Sequence, residues 1–375
     1  MRRTTLAPLL LALLPAACKG VEYAPVRVGS LLLVLNKSDD SLSIVDPRSG
    51  VELDRIATDE GPHEVAVAPS GEVAVVTNYG RQVPGNTLTV VDLVERRAGR
   101  TIDLGEHRRP HGVVFLDHER RVLVTTEESR SLLEVAVRSG EIVRVLDTKQ
   151  DVSHMVALAP DRSRAFVSNI GSGSLSTFDL ETGALAAVTP TGQGAEGLDV
   201  SPDGREVWVA NRDEDTISVV DARTLDLLDH FPCGRFPIRL KFTPDGERVL
   251  VSNANSGDVA VIEAATRTEL ARIPMALDET EASAVETDGR VFAGREGPVP
   301  VGILIDPTGA FAFVANTKAD LVTVIDLESL AILGRIPTDR EPDGLGWFFV
   351  RRSPFWPDEG SHLRLGVGAG VRIGG

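Results

Sequence analysis

Three of the chain's seven histidines stand at the start of similar apolar segments, at His63, His111 and His154. Two acidic residues, Glu196 and Asp343, hold the same place in two further segments. Imidazole and carboxylate groups are ligands for first-row divalent ions, and a neutral histidine can act as a general base. Because these residues lie more than 40 positions apart in the chain, they can form one site only if the fold brings distant segments together.

The segments belong to an internal repeat with a period near 42 residues. Successive repeats carry a mark at the end of an apolar strand, and the seven marks are Asn36, Asn78, Thr126, Asn169, Asn211, Asn253 and Asn316. They fall 42, 48, 43, 42, 42 and 63 residues apart. An alternating apolar strand ending in Asp follows most marks, and a Pro-Asp-Gly-type turn precedes several. Four short strands in about 42 residues are typical of one propeller blade.

The pattern therefore predicts an all-β fold, a seven-bladed β-propeller covering residues 31–350, with a tail at 351–375. The chain starts on the second strand of a blade, at 31–36, and ends on a first strand, at 344–350. We expect the first and last strands to share one blade, because this leaves no unpaired edge at the seam. The Asn marks and the strand-terminal Asp residues are interpreted as turn formers.

The motif Val76-Thr77-Asn78, with its Val-Asp and Pro-Asp-Gly companions, resembles the YVTN-repeat (YncE-like) family of seven-bladed propellers. The resemblance covers about residues 28–350. It implies the propeller fold. It leaves the activity open, since that family and similar propellers include surface and periplasmic binding proteins, lactonases and lyases.

The N-terminus has the pattern of an export signal at residues 1–17. Arg2 and Arg3 precede an apolar run, 6–14, that is too short to span a membrane. The following Cys18 resembles the acylated cysteine of a bacterial lipoprotein, although Pro15 stands where that motif has Leu, Val or Ile. An ordinary signal fits poorly too, because Pro15 would replace a small residue. We expect residues 18–30 to link a lipidated Cys18 to the propeller.

Composition excludes several classes of function. The net charge is 39 − 55 = −16 and the pI is about 4.9, which argues against nucleic acid as a partner. Cys18 and Cys233 are the two cysteines, too few for a disulfide framework or an all-cysteine zinc site. The sequence has no Gly-x-Ser-x-Gly, His-Glu-x-x-His or glycine-rich phosphate motif.

A seven-bladed ring turns about 51° per blade, so equivalent residues of the innermost strands converge on the central channel. We expect His63, His111, His154 and Glu196 to form an arc, with Asp343 beside His63. Together with Arg109, these residues are the predicted ligand-binding set. His63, His111, His154 and Glu196 are the alternative site for one divalent metal ion. His111, His154 and Glu196 are the alternative catalytic set.

The leading hypothesis is an exported, lipid-anchored propeller of the bacterial cell envelope, either at the outer membrane and periplasm or at the cell surface. It would bind a small molecule or an envelope protein through the histidine-bearing mouth. The alternatives are a lactonase- or lyase-type enzyme using the same residues and a purely structural envelope protein. An acidic insertion at 275–300 is either a lid over this face or a disordered loop.

Overall fold

The computed structural model describes residues 29–118, 120–278 and 298–349. These residues form 28 strands, arranged as seven four-stranded antiparallel sheets around a ring, and they contain no helix. The predicted all-β, seven-bladed propeller is confirmed. The signal, Cys18, most of the 275–300 insertion and the tail lie outside the described residues. Nowhere in the described ranges is there a helix long and apolar enough to cross a membrane.

Each blade has an innermost, a second, a third and an outer strand. The innermost strands are β4 (Pro62–Val67), β8 (Pro110–Phe115), β12 (Ser153–Leu158), β16 (Ala195–Val200), β20 (Pro237–Phe242), β24 (Pro300–Ile305) and β28 (Pro342–Phe349). The second strands are β1 (Ser30–Asn36), β5 (Val73–Gly80), β9 (Arg121–Thr126), β13 (Arg164–Asn169), β17 (Glu206–Asn211), β21 (Arg248–Asn253) and β25 (Phe311–Asn316).

The remaining two strands of each blade complete the sheet toward the periphery. The third strands are β2 (Ser41–Asp46), β6 (Pro84–Asp92), β10 (Ser131–Ala136), β14 (Ser174–Asp179), β18 (Thr216–Asp221), β22 (Asp258–Glu263) and β26 (Leu321–Asp326). The outer strands are β3 (Val51–Ala57), β7 (Arg97–Asp103), β11 (Ile142–Asp147), β15 (Leu185–Pro190), β19 (Leu227–Pro232), β23 (Thr268–Pro274) and β27 (Ala331–Pro337).

The first blade joins the two ends of the propeller. Its strand order is β28-β1-β2-β3, and Leu32 pairs with Trp347 while Val34 pairs with Leu345. The other six blades are contiguous in the chain, beginning with blade 2 (β4–β7) and ending with blade 7 (β24–β27). The predicted sharing of one blade by the first and last strands is confirmed, and it covers two edges that would otherwise be unpaired.

The hydrophobic core lies between neighbouring blades. Each blade presents apolar side chains from both of its faces, as expected for a sheet covered on both sides. Leu33 of blade 1 packs in one cluster with Val76 of blade 2. Phe313 of blade 7 packs with Leu32 of blade 1, which completes the circle. Stability therefore depends on every blade having two neighbours.

Every innermost strand begins with a β-bulge at the same face of the ring. In β4, Pro62 pairs with Asn78 and the next regular pair is Val65 with Val76, so the register shifts across the two residues between them. The same irregularity occurs at the start of the other six innermost strands. A bulge re-aims side chains out of the regular ladder. Here it places the candidate site residues at the channel mouth.

Glycine follows the second residue of the innermost strand in four of these bulges. A Cβ on Gly112 would lie 2.8 Å from both the Cα of Met155 and the backbone nitrogen of Val156 in the next blade. A Cβ on Gly344 would collide with the carbonyl oxygen of His63. Glycine at these positions lets adjacent innermost strands approach closely enough for their side chains to meet at the mouth.

The Asn marks do more than form turns. Asn169 is fully buried. Its Nδ2 donates to the Ser176 hydroxyl at 3.0 Å, and its Oδ1 accepts from the Ser153 hydroxyl at 2.9 Å. Asn36 and Asn211 make equivalent bonds to third-strand hydroxyls. The marks therefore tie strands together inside a blade.

The strand-terminal Asp residues form turns, as expected. Asp326, for example, accepts hydrogen bonds from the backbone N–H groups of Glu328 and Ser329.

We predict that Asn169→Ala lowers the free energy of unfolding by about 2–3 kcal/mol, because it leaves buried hydroxyls without partners. Chemical denaturation monitored by circular dichroism measures this loss. Asn255→Ala is the matched control, since the Asn255 side chain makes no hydrogen bond with any described residue. Equal effects of the two substitutions would contradict a cross-linking role for the Asn marks.

Candidate functional site

The candidate site lies at the mouth of the central channel, on the face where the innermost strands begin. The second residues of these strands are His63, His111, His154, Glu196, Ile238, Val301 and Asp343. Ile238 and Val301 pack in a small apolar cluster with Ala254 and Val299. The polar members therefore lie together on the other side of the mouth.

The three histidines form a continuous arc, in the order expected from the sequence. The ring centroids of His63 and His111 are 5.2 Å apart, and those of His111 and His154 are 3.7 Å apart at an interplanar angle of 33°. His111 and His154 are 3% and 5% exposed, whereas His63 is half-buried. His63 is thus the histidine of the arc that solvent reaches most readily.

A second set of site residues comes from the positions directly after the marks. Each of these residues directly follows a mark and contacts a residue of the innermost strands, and they are Lys37, Tyr79, Glu127 and Arg212. Sequence reasoning did not select them. The repeat could have identified them, because polar residues recur at the position directly after the mark, next to the beginning of an innermost strand.

Two carboxylates flank the imidazole of His154. Its Nδ1 lies 2.6 Å from Glu127 Oε1, and its Nε2 lies 3.2 Å from Glu196 Oε1, the latter without the alignment of a hydrogen bond. Burial favours the neutral imidazole, but the two carboxylates outweigh burial and raise the pKa of His154. The geometry thus favours an imidazolium at this position.

Two arginines bind Glu196 from its other side. Arg212 Nη1 donates to Oε2 at 2.6 Å, and Arg239 Nη1 donates to Oε1 at 3.0 Å. Burial opposes ionisation of Glu196, but His154 and both arginines hold its pKa well below the usual range. Glu196 is therefore a carboxylate that keeps its charge in a buried position.

Arg239 also connects opposite sides of the ring. Its Nη2 donates to Glu64 Oε1 at 2.8 Å, and this bond joins blade 6 to blade 2 across the channel. Burial raises the pKa of Glu64, although the Arg239 charge acts in the opposite direction. The ion pairs of Arg239 form a floor beneath the histidine arc.

The other two histidines are held in the neutral form. Burial, with a smaller contribution from the Lys37 charge, lowers the pKa of His63 to about 4. Burial and the neighbouring charge of His154 place the pKa of His111 well below its ordinary value. The Nδ1 of His63 lies 2.9 Å from the carbonyl oxygen of Gly61 and donates to it in the neutral ring, which leaves Nε2 as an acceptor.

Asp343 and Arg109 flank the arc at its sides. Asp343 pairs with Lys37 at 2.9 Å and lies close enough to His63 for its charge to act on that imidazole. The guanidinium of Arg109 lies over the Tyr79 ring, 4.5 Å from its centroid. Tyr79 in turn contacts His63 and donates its hydroxyl to Glu127 Oε2 at 2.5 Å. Arg109 thus joins the arc through Tyr79.

Hydroxyl groups of one blade position the site residues of the next. Thr77 donates to the carbonyl oxygen of His111 at 2.8 Å, and Thr125 donates to that of His154 at 2.5 Å. Ser168 makes the same bond to the carbonyl oxygen of Glu196. Each hydroxyl lies one residue before a mark, so the repeat that builds the blades also fixes the spacing between site residues.

Of the four residues predicted to bind a metal ion, His111 and His154 lie in a group that could hold one, with Glu127 in place of His63 and Glu196. Candidate ligand atoms of His111, Glu127 and His154 lie within 4.8 Å of one another. Both nitrogens of His154 face carboxylates. A metal ion would require His154 to lose its proton and release one carboxylate.

Four buried polar atoms at the mouth have no hydrogen-bond partner among the described residues. They are His111 Nδ1, His154 Nε2, Arg212 Nε and Asp343 Oδ1. Buried polar atoms in folded proteins are nearly always satisfied by protein, water or ligand. These four atoms belong to residues around the mouth, whereas the other such atoms in the described ranges include single positions on blade strands, such as Asn36 and Thr177.

Comparisons with known proteins agree with the fold. A family model described as "Lactonase, 7-bladed beta-propeller" matches residues 184–287. This part of the chain contains Glu196, Arg212 and Arg239. No curated protein matches the chain significantly.

Two solved structures show the same architecture. A chain of Kuenenia stuttgartiensis hydrazine synthase is 18% identical with a TM-score of 0.65, covering 79% of this chain and 92% of that chain. A functionally unknown protein from Desulfotomaculum acetoxidans DSM 771 is 14% identical with a TM-score of 0.69, covering 85% of this chain and 99% of that chain. At these identities, the similarity supports the fold alone.

We predict that Glu127→Gln lowers the pKa of His154 and destabilises the protein by about 2–4 kcal/mol, because it removes one partner of a buried ion pair. A raised histidine pKa contributes stability below the unfolded pKa and loses that contribution as the pH rises through the folded pKa. The difference from wild type should therefore be larger near about pH 6 than near about pH 9. Urea denaturation at both pH values measures the difference.

The neighbouring variant Glu128→Gln is the control, since Glu128 is exposed and lies 3.7 Å from Arg109. We expect its effect to be about 0.5 kcal/mol or less. Nitrogen chemical shifts of the His154 ring report its protonation directly. An unchanged titration of His154 in Glu127→Gln would disprove the assigned pairing.

Proposed function

We propose that this protein binds a small polar molecule at the channel mouth. The observation that carries the proposal is the group of four buried polar atoms beside the histidine arc that make no hydrogen bond with a described residue. An unsatisfied buried donor or acceptor costs about 1–3 kcal/mol. A ligand that supplies the missing partners recovers this free energy.

The donors and acceptors at the mouth point to a hydroxy acid as the ligand class. Arg212 and the His154 imidazolium offer charged N–H groups for a carboxylate. His63 Nε2 and Asp343 Oδ1 accept hydrogen bonds from hydroxyl groups. The half-buried rim residues, His63 and Arg109 among them, lie where such a ligand enters.

Lactone hydrolysis is the second candidate function, and two observations favour it. The matching family model carries the word lactonase and covers Glu196, Arg212 and Arg239. In addition, the neutral His111 lies against the His154 imidazolium. A base and an acid in contact are what the reaction requires.

The hydrolysis follows from these protonation states. His111 Nδ1 takes a proton from water as the water oxygen bonds to the lactone carbonyl carbon. The ring C–O bond breaks, and His154 protonates the departing oxygen. Proton transfer from His111 to His154 restores the starting state, and the product is a hydroxy acid. Glu196 favours the charged form of His154 before the reaction and again after His111 returns the proton.

A divalent cation at His63, His111, His154 and Glu196 remains the alternative occupant. It competes with the protonated form of His154, so its affinity would rise with pH.

We predict that D-gluconate or L-malate, used as probes, raises the thermal midpoint of the wild-type protein. A ligand at ten times its Kd stabilises a protein by about 1.4 kcal/mol. His63→Ala should weaken this binding at least tenfold. His118→Ala is the matched control, because His118 is exposed in the turn after β8, outside the mouth.

Three outcomes separate the candidates. Binding of hydroxy acids without hydrolysis of glucono-δ-lactone supports the binding protein. Hydrolysis that is lost in His111→Ala supports the enzyme. Stabilisation by Zn²⁺ alone supports the metal site, and no response to any of the probes would overturn the proposed ligand class.

We also propose that the protein belongs with the YVTN-repeat (YncE-like) propellers and reaches the cell envelope as a lipoprotein. The support is the repeat motif around Asn78 and the signal that ends before Cys18. Acyl chains on Cys18 would supply the anchor, since a protein of net charge −16 gains no attraction to an anionic membrane.

We predict that Cys18→Ser shifts the protein from the membrane fraction to the soluble fraction on expression in a bacterium. Cys233→Ser is the control and should stay with the membrane, because Cys233 is a free thiol in the interior of the propeller. Membrane partitioning of Cys18→Ser equal to wild type would exclude acylation as the anchor.

A further inference from the structure

The central channel contains a cavity that the histidine site does not use. Its volume is about 590 Å³, and all seven innermost strands line it. Glu64 and Arg239 line the cavity, whereas none of the three arc histidines does. The ion pair of Glu64 and Arg239 therefore separates this cavity from the mouth.

The cavity opens on the opposite face of the ring. The cavity is also lined by residues of the turns that follow innermost strands, namely Pro160, Arg162 and Pro307. These turns lie at the far ends of β12 and β24 from the bulges. A molecule entering from this face meets the channel wall before it reaches the Glu64–Arg239 floor.

The wall of the cavity combines apolar and polar surface in nearly equal parts. Val65, Val114, Met155, Leu304 and Trp347 line it and remain half-exposed within the channel. Apolar side chains that face a confined aqueous space gain free energy when an apolar molecule covers them. A volume of this size lies within the range of small-molecule pockets, about 300–1,000 Å³.

Charged and polar groups hold particular places in the cavity. Lys241 pairs with Asp199 at 3.2 Å and keeps 40% of its side chain exposed. Arg162, at the open end, is exposed. The indole Nε1 of Trp347 is buried without a hydrogen-bond partner in the described ranges. Lys241 and Arg162 thus supply cationic groups on the side of the Glu64–Arg239 floor that faces the open end.

We propose that the channel is a second ligand site, open on the face opposite the histidines, for an amphipathic anion. Its apolar ring or chain lies against the apolar wall, and its anionic group pairs with Lys241, with Arg162 at the rim. The site is independent of the mouth, because the ion pairs of Arg239 lie between the two.

Anilinonaphthalene sulfonate, an apolar ring system with one anionic group, is a direct probe. We expect one molecule to bind per chain, with energy transfer from tryptophan that Trp347→Phe reduces. Lys241→Gln should weaken binding at least fivefold. The uncharged analogue phenylnaphthylamine lacks the anionic group that would pair with Lys241. Its binding should therefore be the same in Lys241→Gln as in the wild-type protein.

A second variant and two controls keep the result specific. Ala157→Phe fills the channel and should reduce binding of both probes. Lys149→Gln changes the same charge at an exposed loop position outside the cavity and should have no effect. His63→Ala should also leave binding of the probe in the channel unchanged, because His63 does not line the cavity. The test of the channel site therefore does not depend on whether the mouth binds a hydroxy acid.

Two outcomes would overturn the channel site. One is binding of several probe molecules per chain that neither Lys241→Gln nor Ala157→Phe reduces, which would place the probe on the outer surface. The other is no binding by a wild-type protein whose circular dichroism shows the folded all-β state.

Discussion

The pairing of β28 with β1 is the constraint on which the structure depends. A single blade cannot bury both of its faces, so each needs a neighbour on either side. The pairing of Leu32 with Trp347 closes the circle and gives the first and last blades their missing neighbours. Closure also sets the curvature of the ring, which brings His63, His111 and His154 to one side of the channel.

Within that ring, Arg239 organises the polar interior. It lies 7% exposed between Glu64 and Glu196, and Glu196 in turn contacts His154. Removing a charge from water is costly, and each member of this network makes the burial of the next one tolerable. The same ion pairs lie between a mouth that contains the histidines and a cavity whose wall combines apolar side chains with the Lys241–Asp199 pair. The two compartments therefore differ in the chemistry of the ligands that they fit.

The repeat also explains which site residues could be predicted from the sequence. It found the second residue of every innermost strand, because identical spacing makes equivalent positions recognisable. It missed Glu127 and Arg212, which sit after the marks on second strands. Their importance depends on a contact between the end of one strand and the beginning of another. In the case of Glu127 and His154, two strands, β10 and β11, lie between them along the chain.

The sequence by itself determined the number of blades, the strand order and the shared first blade, since period and alternation follow directly from the pleat and the turn. Only the tertiary structure decided which polar groups are neutral and which are charged. That outcome depends on distances and burial across the channel, as the opposite pKa shifts of His111 and His154 illustrate. Two histidines in the same local pattern differ because one faces carboxylates and the other faces that charged imidazole.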